Sequence, residues 1–468
     1  MAQASHKQLQ EKARVLRAAG RDAEAVDLLQ EAVAAEPGDL ITQHNLASAL
    51  GDIGRYKEAV AVLKPALKQG LDAPESWLVY ARALVGIADF ESGEAAYRTV
   101  LTKNPVNGDA HRELAQLVWM RTADNKAALA ALDAALAANP AELILRVLKA
   151  EIVGQMGDRQ GQYALITETL NATGGDIQVA HYACKAALNC GEFQAALAYG
   201  EQTAKAYPND VGFVASYIEA LLALGEAKIA EGVIEDRRRR HPDNQLVIAL
   251  QATAWRLLGD DRYGELYDYD AFVCAAPMAR PNGWSTMTAY LDDLVEELDQ
   301  AHSYVEHPFF QSVRHGSQLS SINLSDSPAM GAFDEAAHGP LTDYIGRLGE
   351  GTDPLRARNK GGFHVISAWS IRLSQQGFHV NHVHPEGWLS FACHIRPPAD
   401  DPANPNAGCL KLGEPGCATK PTLAPERFVK PQAGTGVIFP SYMWHGTVEY
   451  APGPARTTIA ADIGPQSG

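Results

Sequence analysis

Three histidines fall within six residues near the C-terminal end, in Gly377-Phe378-His379-Val380-Asn381-His382-Val383-His384-Pro385. Successive side chains of a strand point to opposite faces. If 378–384 is extended, His382 and His384 share one face and His379 takes the other. Two imidazoles on one face make half of a metal site, since neutral imidazole suits several transition metals. Histidine is gathered in this half of the chain generally, with ten of fifteen beyond residue 300. The rest of the sequence must position this stretch and supply the other half of the site.

The chain has 468 residues, too many for one compact core, so two or more domains are expected. It carries 56 Asp and Glu against 40 Lys and Arg, which argues against a general nucleic-acid binder. No apolar run approaches the ~18 residues of a membrane span. The N-terminus is polar and helical in pattern, without the apolar core of a signal peptide. Six cysteines (Cys184, Cys190, Cys274, Cys393, Cys409, Cys417) form no C-x-x-C pair. That pattern fits reduced thiols, and a cytoplasmic protein is expected.

The first half repeats. Gly20 and Gly54 are 34 residues apart, and Gly157, Gly191, Gly225 and Gly259 keep the same interval. Pro37 and Pro105, Pro140 and Pro208, and Pro208 and Pro242 follow the beat, with one residue inserted between Pro105 and Pro140. A 34-residue period is that of a helix–turn–helix repeat, and the details resemble tetratricopeptide (TPR) repeats. Ala13, Gly20, Ala25, Ala32 and Pro37 occupy that family's small, turn and exit positions in the first unit, and Trp77, Tyr80 and Ala81 its aromatic and small positions in the third. About seven units plus a partial eighth are expected over 6–261, weakest around 108–175. Each unit buries its apolar face against its neighbours, giving a superhelical solenoid with a concave groove for a protein or peptide partner. The alternative is a solenoid that only carries or oligomerises the C-terminal domain. The basic run Arg237–Arg240 ends a helix and complements its dipole.

The repeat breaks in the proline-bearing stretch 262–282. Helical spacing over 284–302 and about 334–349 predicts two helices. From about 362 the period changes to two and turn residues multiply. Strands are predicted at 363–373, 378–384, 388–395, 408–412, 427–430, 435–439, 443–449 and 456–463. Such a series suggests an antiparallel double-stranded β-helix, a jelly-roll barrel. The expected fold is therefore multidomain: an all-α solenoid over 6–261, then an α+β domain over 262–468 with a jelly-roll core.

His445 lies about sixty residues after His382, followed by Arg456 and Thr458. This arrangement resembles the 2-oxoglutarate- and Fe(II)-dependent oxygenases, which carry H-x-D/E on an early strand, a His on a late strand, and an Arg with Ser or Thr two residues on. The wider sequence resembles a bacterial branch in which such a domain follows TPR units. The resemblance implies His382, His384 and His445 as metal ligands, Arg456 and Thr458 as the grip on the remote carboxylate of 2-oxoglutarate, and Fe(II), 2-oxoglutarate and O2 as cofactor and co-substrates. It implies hydroxylation of an unactivated C–H bond with succinate and carbon dioxide as co-products.

The chemistry is consistent with that assignment. A guanidinium pairs bidentately with a carboxylate and keeps its charge. Three ligands on one side of Fe(II) leave adjacent positions open. One departure stands out: His384 occupies the family's carboxylate position. Either three imidazoles bind the metal, or His384 turns away and leaves two. Glu386, two residues on and past a proline, is poorly placed to substitute. A cupin-like metal enzyme is the rival reading, since Gly434, Pro440 and His445 match part of that pattern, but Trp388 and Leu389 stand where cupins place a Glu. A non-catalytic TPR interaction protein with a decayed barrel is a further alternative. Gln318, in a polar stretch expected to form a loop over the barrel mouth, and Arg372, Trp388 and Trp444 are candidate pocket residues. His364 and His394 fall in predicted strands with no evident partner.

Overall fold

The computed structural model describes residues 5–322, 327–450 and 453–466. It divides the chain into two compact units, Met1–Trp119 with Asp124–Lys149, and Ala150–Gly468 with Met120–Ala123. Fifteen helices among the described residues, from His6–Ala18 to Gln245–Leu258, form the repeat array. They include four regular helices over 108–172, where the repeat signature is weakest.

Local chemistry sets these helices. Asp39, Asp89, Asp124, Asp158, Asp176, Asp210 and Asn244 each cap a helix, their side-chain oxygens accepting a backbone N–H of the first turn, as N-cap residues do. Gly191 and Gly225 close their helices at φ 82° and 86°, a left-handed conformation that costs other residues a steric penalty. In the first unit the core is built on Ala25, Val26, Leu29, Leu46, Ala47 and Leu50, all nearly inaccessible. The run at Arg237–Arg240 ends the helix Ala227–Arg240. Its side chains are held locally: Arg237 pairs with Asp236 and donates to the Pro208 carbonyl, and Arg240 donates to Asn209 Oδ1.

In the second unit the last repeat helices share one hydrophobic core with the C-terminal domain, from Val214 and Leu222 through Trp255 to Phe391, Phe439 and Ile463. Nine strands among the described residues form the rest of the framework: β1 Cys274–Pro277, β2 Val313–Leu319, β3 Phe363–His379, β4 Leu389–Arg396, β5 Leu410–Leu412, β6 Arg427–Val429, β7 Thr435–Pro440, β8 His445–Thr447 and β9 Arg456–Pro465. One sheet runs β1-β7-β4-β9-β3-β2 and the other β6-β5-β8. All pairings are antiparallel, and the curled double sheet is a jelly-roll type core. The helices Met287–Ala301 and Phe333–Leu348 cover the outer face of the large sheet, where Phe333 meets Phe391 at 6.1 Å between rings. Each such fully buried large side chain contributes roughly 1.5–3 kcal/mol of transfer free energy.

Three local expectations change. β3 runs on to His379, and 380–384 then leaves the sheet, so the predicted strand over 378–384 is absent apart from a single bridge at His382. β1 and β2 have no counterpart among the predicted strands, because both are short edge strands without clean alternation. Gln318 therefore lies on edge strand β2 and not in a loop.

Candidate metal centre

His382 and His445 are brought together by backbone pairing. The His382 N–H donates to the His445 carbonyl at 2.9 Å, and the His445 N–H returns the bond at 3.1 Å. This bridge sets the two rings 4.3 Å apart. Gly446 permits the close approach: a Cβ there would meet Asn381 Oδ1 at 2.5 Å and the His379 carbonyl oxygen at 2.9 Å.

The tautomers of His382 and His445 are set by the carbonyl that each Nδ1 faces. His382 Nδ1 donates to the Val380 carbonyl at 2.8 Å, and His445 Nδ1 to that of Met443 at 2.9 Å. His384 Nδ1 lies 2.6 Å from Asp462 Oδ1. With their protons on Nδ1, His382 and His445 each present an Nε2 lone pair. The three Nε2 atoms converge: His384 Nε2 is 3.2 Å from His382 Nε2 and 3.2 Å from His445 Nε2. Burial pushes the His382 pKa down to about 3, helped by His384, and holds His445 well below the ordinary histidine value. Three ring nitrogens gathered at one point, two of them with lone pairs, suit a cation between them. Nitrogens about 2.1 Å from a metal and at right angles to one another would be about 3.0 Å apart, close to the spacing found. The donor set therefore fits a divalent transition metal.

Asp462 places a carboxylate behind His384, where such a group would orient a ligating histidine. Trp369 stacks on His384 (5.5 Å, 14°), and Phe439 meets His445 edge-on at 4.7 Å. His379, expected on the opposite face, has its ring 6.1 Å from that of His382, with Nδ1 2.9 Å from Ser312 Oγ. Strand parity does not carry across 380–384 because the chain has left the sheet there.

The second part of the site lies on β9. Arg456 is 2 % exposed. Its Nε donates to Thr458 Oγ1 at 3.3 Å, and its Nη1 to the Gly408 carbonyl at 2.8 Å. No carboxylate pairs with it among the described residues. Burial lowers its pKa to about 10, so the guanidinium stays charged at neutral pH, a buried cation lacking an anion. Between it and His384, Ala460 on β9 and Ala392 on β4 stand opposite each other in mid-sheet. Both retain solvent access while Phe391, Cys393, Ile459 and Ala461 beside them are buried. The interior face therefore has room beside the arginine.

A cavity of about 730 Å³ opens over His382 and His384, and Gln318, Arg314, Gln155 and Lys185 are among its lining residues. Arg372, Trp388 and Trp444 are not. Arg372 turns to the other face, with Nε 3.5 Å from Asp299 Oδ1. Trp388 is a core residue whose Nε1 donates to the Leu355 carbonyl at 2.8 Å. Trp444 donates from Nε1 to Thr253 Oγ1 on the helix Gln245–Leu258 at 3.0 Å. Sequence reasoning missed Asp462, Trp369 and Phe439. Asp462 was accessible by alternation, since 456, 458, 460 and 462 share one face of β9.

Comparison with known families agrees with this arrangement. The family described as "Putative 2OG-Fe(II) oxygenase" matches residues 367–462, and tetratricopeptide repeat families match 16–83 and 81–142. The search of curated proteins gives no match. Among solved structures, a tetratricopeptide repeat protein from Parabacteroides merdae ATCC 43184 is 17% identical, with a TM-score of 0.38 over 53% of this chain and 98% of its own. PilW, a type IV pilus biogenesis factor, is 17% identical with a TM-score of 0.36 over 46% of this chain and 98% of its own. MamA is 19% identical with a TM-score of 0.29 over 34% of this chain and 92% of its own.

Proposed function

We propose that this chain, which joins tetratricopeptide repeats to a domain of the 2OG-Fe(II) oxygenase family, is a 2-oxoglutarate- and Fe(II)-dependent hydroxylase. The observation that carries the proposal is the pairing of a convergent Nε2 triad with a buried, anion-free arginine in the same barrel. His382, His384 and His445 would hold the iron, and Arg456 with Thr458 the remote carboxylate of 2-oxoglutarate. When bound, these groups supply oxygen activation coupled to loss of carbon dioxide and formation of succinate, which allows an unactivated C–H bond to be hydroxylated.

The protein's own residues orient and shield. Asp462 places a carboxylate 2.6 Å from His384 Nδ1, on the side away from the Nε2 that would face the metal. Trp369 and Phe439 exclude water from two sides of the imidazoles. The cavity over the triad is lined by Phe310, Trp369 and Val380 as well as by amides, hydroxyls, Lys185, Arg314 and Glu386, so a substrate there meets both apolar and polar surface. We assign the repeat array to 6–261 and the catalytic domain to 262–468. The repeats of the first unit are the surface we assign to a protein or peptide partner, because helices of the second unit already hold the barrel.

The test uses anaerobically purified protein with Fe(II), 2-oxoglutarate and then O2, measuring succinate. Succinate formation with a 2-oxoglutarate-dependent metal absorption band is expected. Absence of both overturns the proposal. Arg456→Ala is expected to weaken 2-oxoglutarate binding at least tenfold, since a charge-assisted bidentate pair is lost.

A further inference from the structure

His394 lies on β4 directly opposite Thr458 of β9 and Thr435 of β7. It is 1 % exposed, and neither Nδ1 nor Nε2 has a hydrogen-bond partner. Buried polar side chains almost always find partners, as four neighbouring histidines do. His302 bonds Ser317 and Ser370, His379 bonds Ser312, and His382 and His445 each bond a carbonyl. Strand alternation explains where the His394 ring points. On β4, Phe391 and Cys393 pack outward toward the helices, so Ser390, Ala392 and His394 face the interior. Ser390 confirms the direction by meeting Ser441 at 3.1 Å. His394 thus shares a face with Thr458 and Arg456, next to the opening at Ala392 and Ala460. Burial, reinforced by the Arg456 charge, pushes its pKa down to about 3, so the ring is neutral and offers one N–H.

We infer that His394 is a third donor to the remote carboxylate held by Arg456 and Thr458. The inference rests on the hydroxylase reading. A carboxylate accepts through about four lone-pair sites. Arg456 and Thr458 face it from β9, and His394 faces it from the neighbouring strand. A monocarboxylic 2-oxo acid has no group at that end and leaves the His394 N–H unpaired.

The test needs no turnover. With Mn(II) in place of iron, calorimetry gives Kd for 2-oxoglutarate and for pyruvate, which lacks the remote carboxylate. His394→Phe keeps a ring and removes the donor, and His394→Gln keeps a donor. The expected result is a 2-oxoglutarate Kd raised about tenfold or more in His394→Phe, with pyruvate affinity unchanged and His394→Gln closer to the original. An unchanged 2-oxoglutarate Kd in His394→Phe overturns this role and leaves the hydroxylase reading intact. Equal losses for both ligands in both variants mark a packing residue and also overturn it. Failure of the unsubstituted protein to bind 2-oxoglutarate removes both readings. Nitrogen-labelled histidine in the unsubstituted protein gives a check independent of variant folding. The His394 ring N–H is expected to become protected from exchange with 2-oxoglutarate and not with pyruvate, and equal response to the two ligands overturns the role.

Discussion

A carboxylate lies behind His384 and not in its place. His384 occupies the position where the resembling family keeps an acid, and Asp462 meets the far nitrogen of that histidine at 2.6 Å. Asp462→Asn is therefore expected to lower metal affinity about 10–100-fold, the usual cost of losing a partner behind a ligating histidine. A metal titration checks it, and unchanged affinity would separate Asp462 from the centre. His302 gives a pH dependence away from the metal. Burial, with Arg372 adding to it, lowers its pKa from 6.5 to about 3. The folded ring is neutral while the unfolded one takes a proton below 6.5, so the unfolded state binds more protons between those values. Stability is full above pH 6.5 and falls as pH drops toward 3, by about 2 kcal/mol between pH 7 and 5 from this group. Denaturant midpoints across that range should show a shallower slope in His302→Asn. At this scale residue types are easier to read from sequence than their surroundings. His382, His445 and Arg456 stand out by spacing, whereas the orphaned nitrogens of His394 depend on contacts that no spacing reveals.

Strands carry their information as alternation, and the alternation holds only while the strand lasts. β9 keeps Arg456, Thr458, Ala460 and Asp462 on one face over its described length, so a single period-two count finds both ends of the site. β3 does not reach the triad. It stops at His379, and the pairing of His382 with His445 then depends on a single bridge. The predicted strands at 388–395, 435–439 and 456–463 match their elements closely because each alternates cleanly or runs apolar in the sheet centre. β1 and β2 are illegible because edge strands need no such pattern. The narrow bridge yields a prediction: Gly446→Ala forces the Asn381 side chain and the His379 carbonyl apart from β8. It is expected to weaken metal binding and to destabilise the fold by about 1–3 kcal/mol, in the range for overpacking. Metal titration and chemical denaturation measure the two effects, and a neutral result would mean the bridge adjusts freely.

Across the second unit, repeats and barrel are joined at the residues flanking His445. Tyr267 accepts the Trp444 N–H at 3.0 Å and donates to the Tyr442 carbonyl at 3.1 Å, while Tyr442 donates to the Leu266 carbonyl at 3.1 Å. Arg256, on the last repeat helix, donates to the carbonyls of Gly413 and Ala424. Tyr267→Phe is expected to cost about 1–3 kcal/mol by leaving two buried backbone groups unpaired, read by chemical denaturation. A fragment over 262–468 should fail to show a cooperative melt, whereas one over 150–468 should show a single transition. The 34-residue beat makes the array legible, but no periodicity announces that its end is part of another core. Set on a foreign repeat array, this barrel would keep the indole N–H of Trp444 buried with no Thr253 to receive it, one residue from His445. Exchanging either the last repeats or the barrel would therefore leave buried polar groups unpaired at this seam.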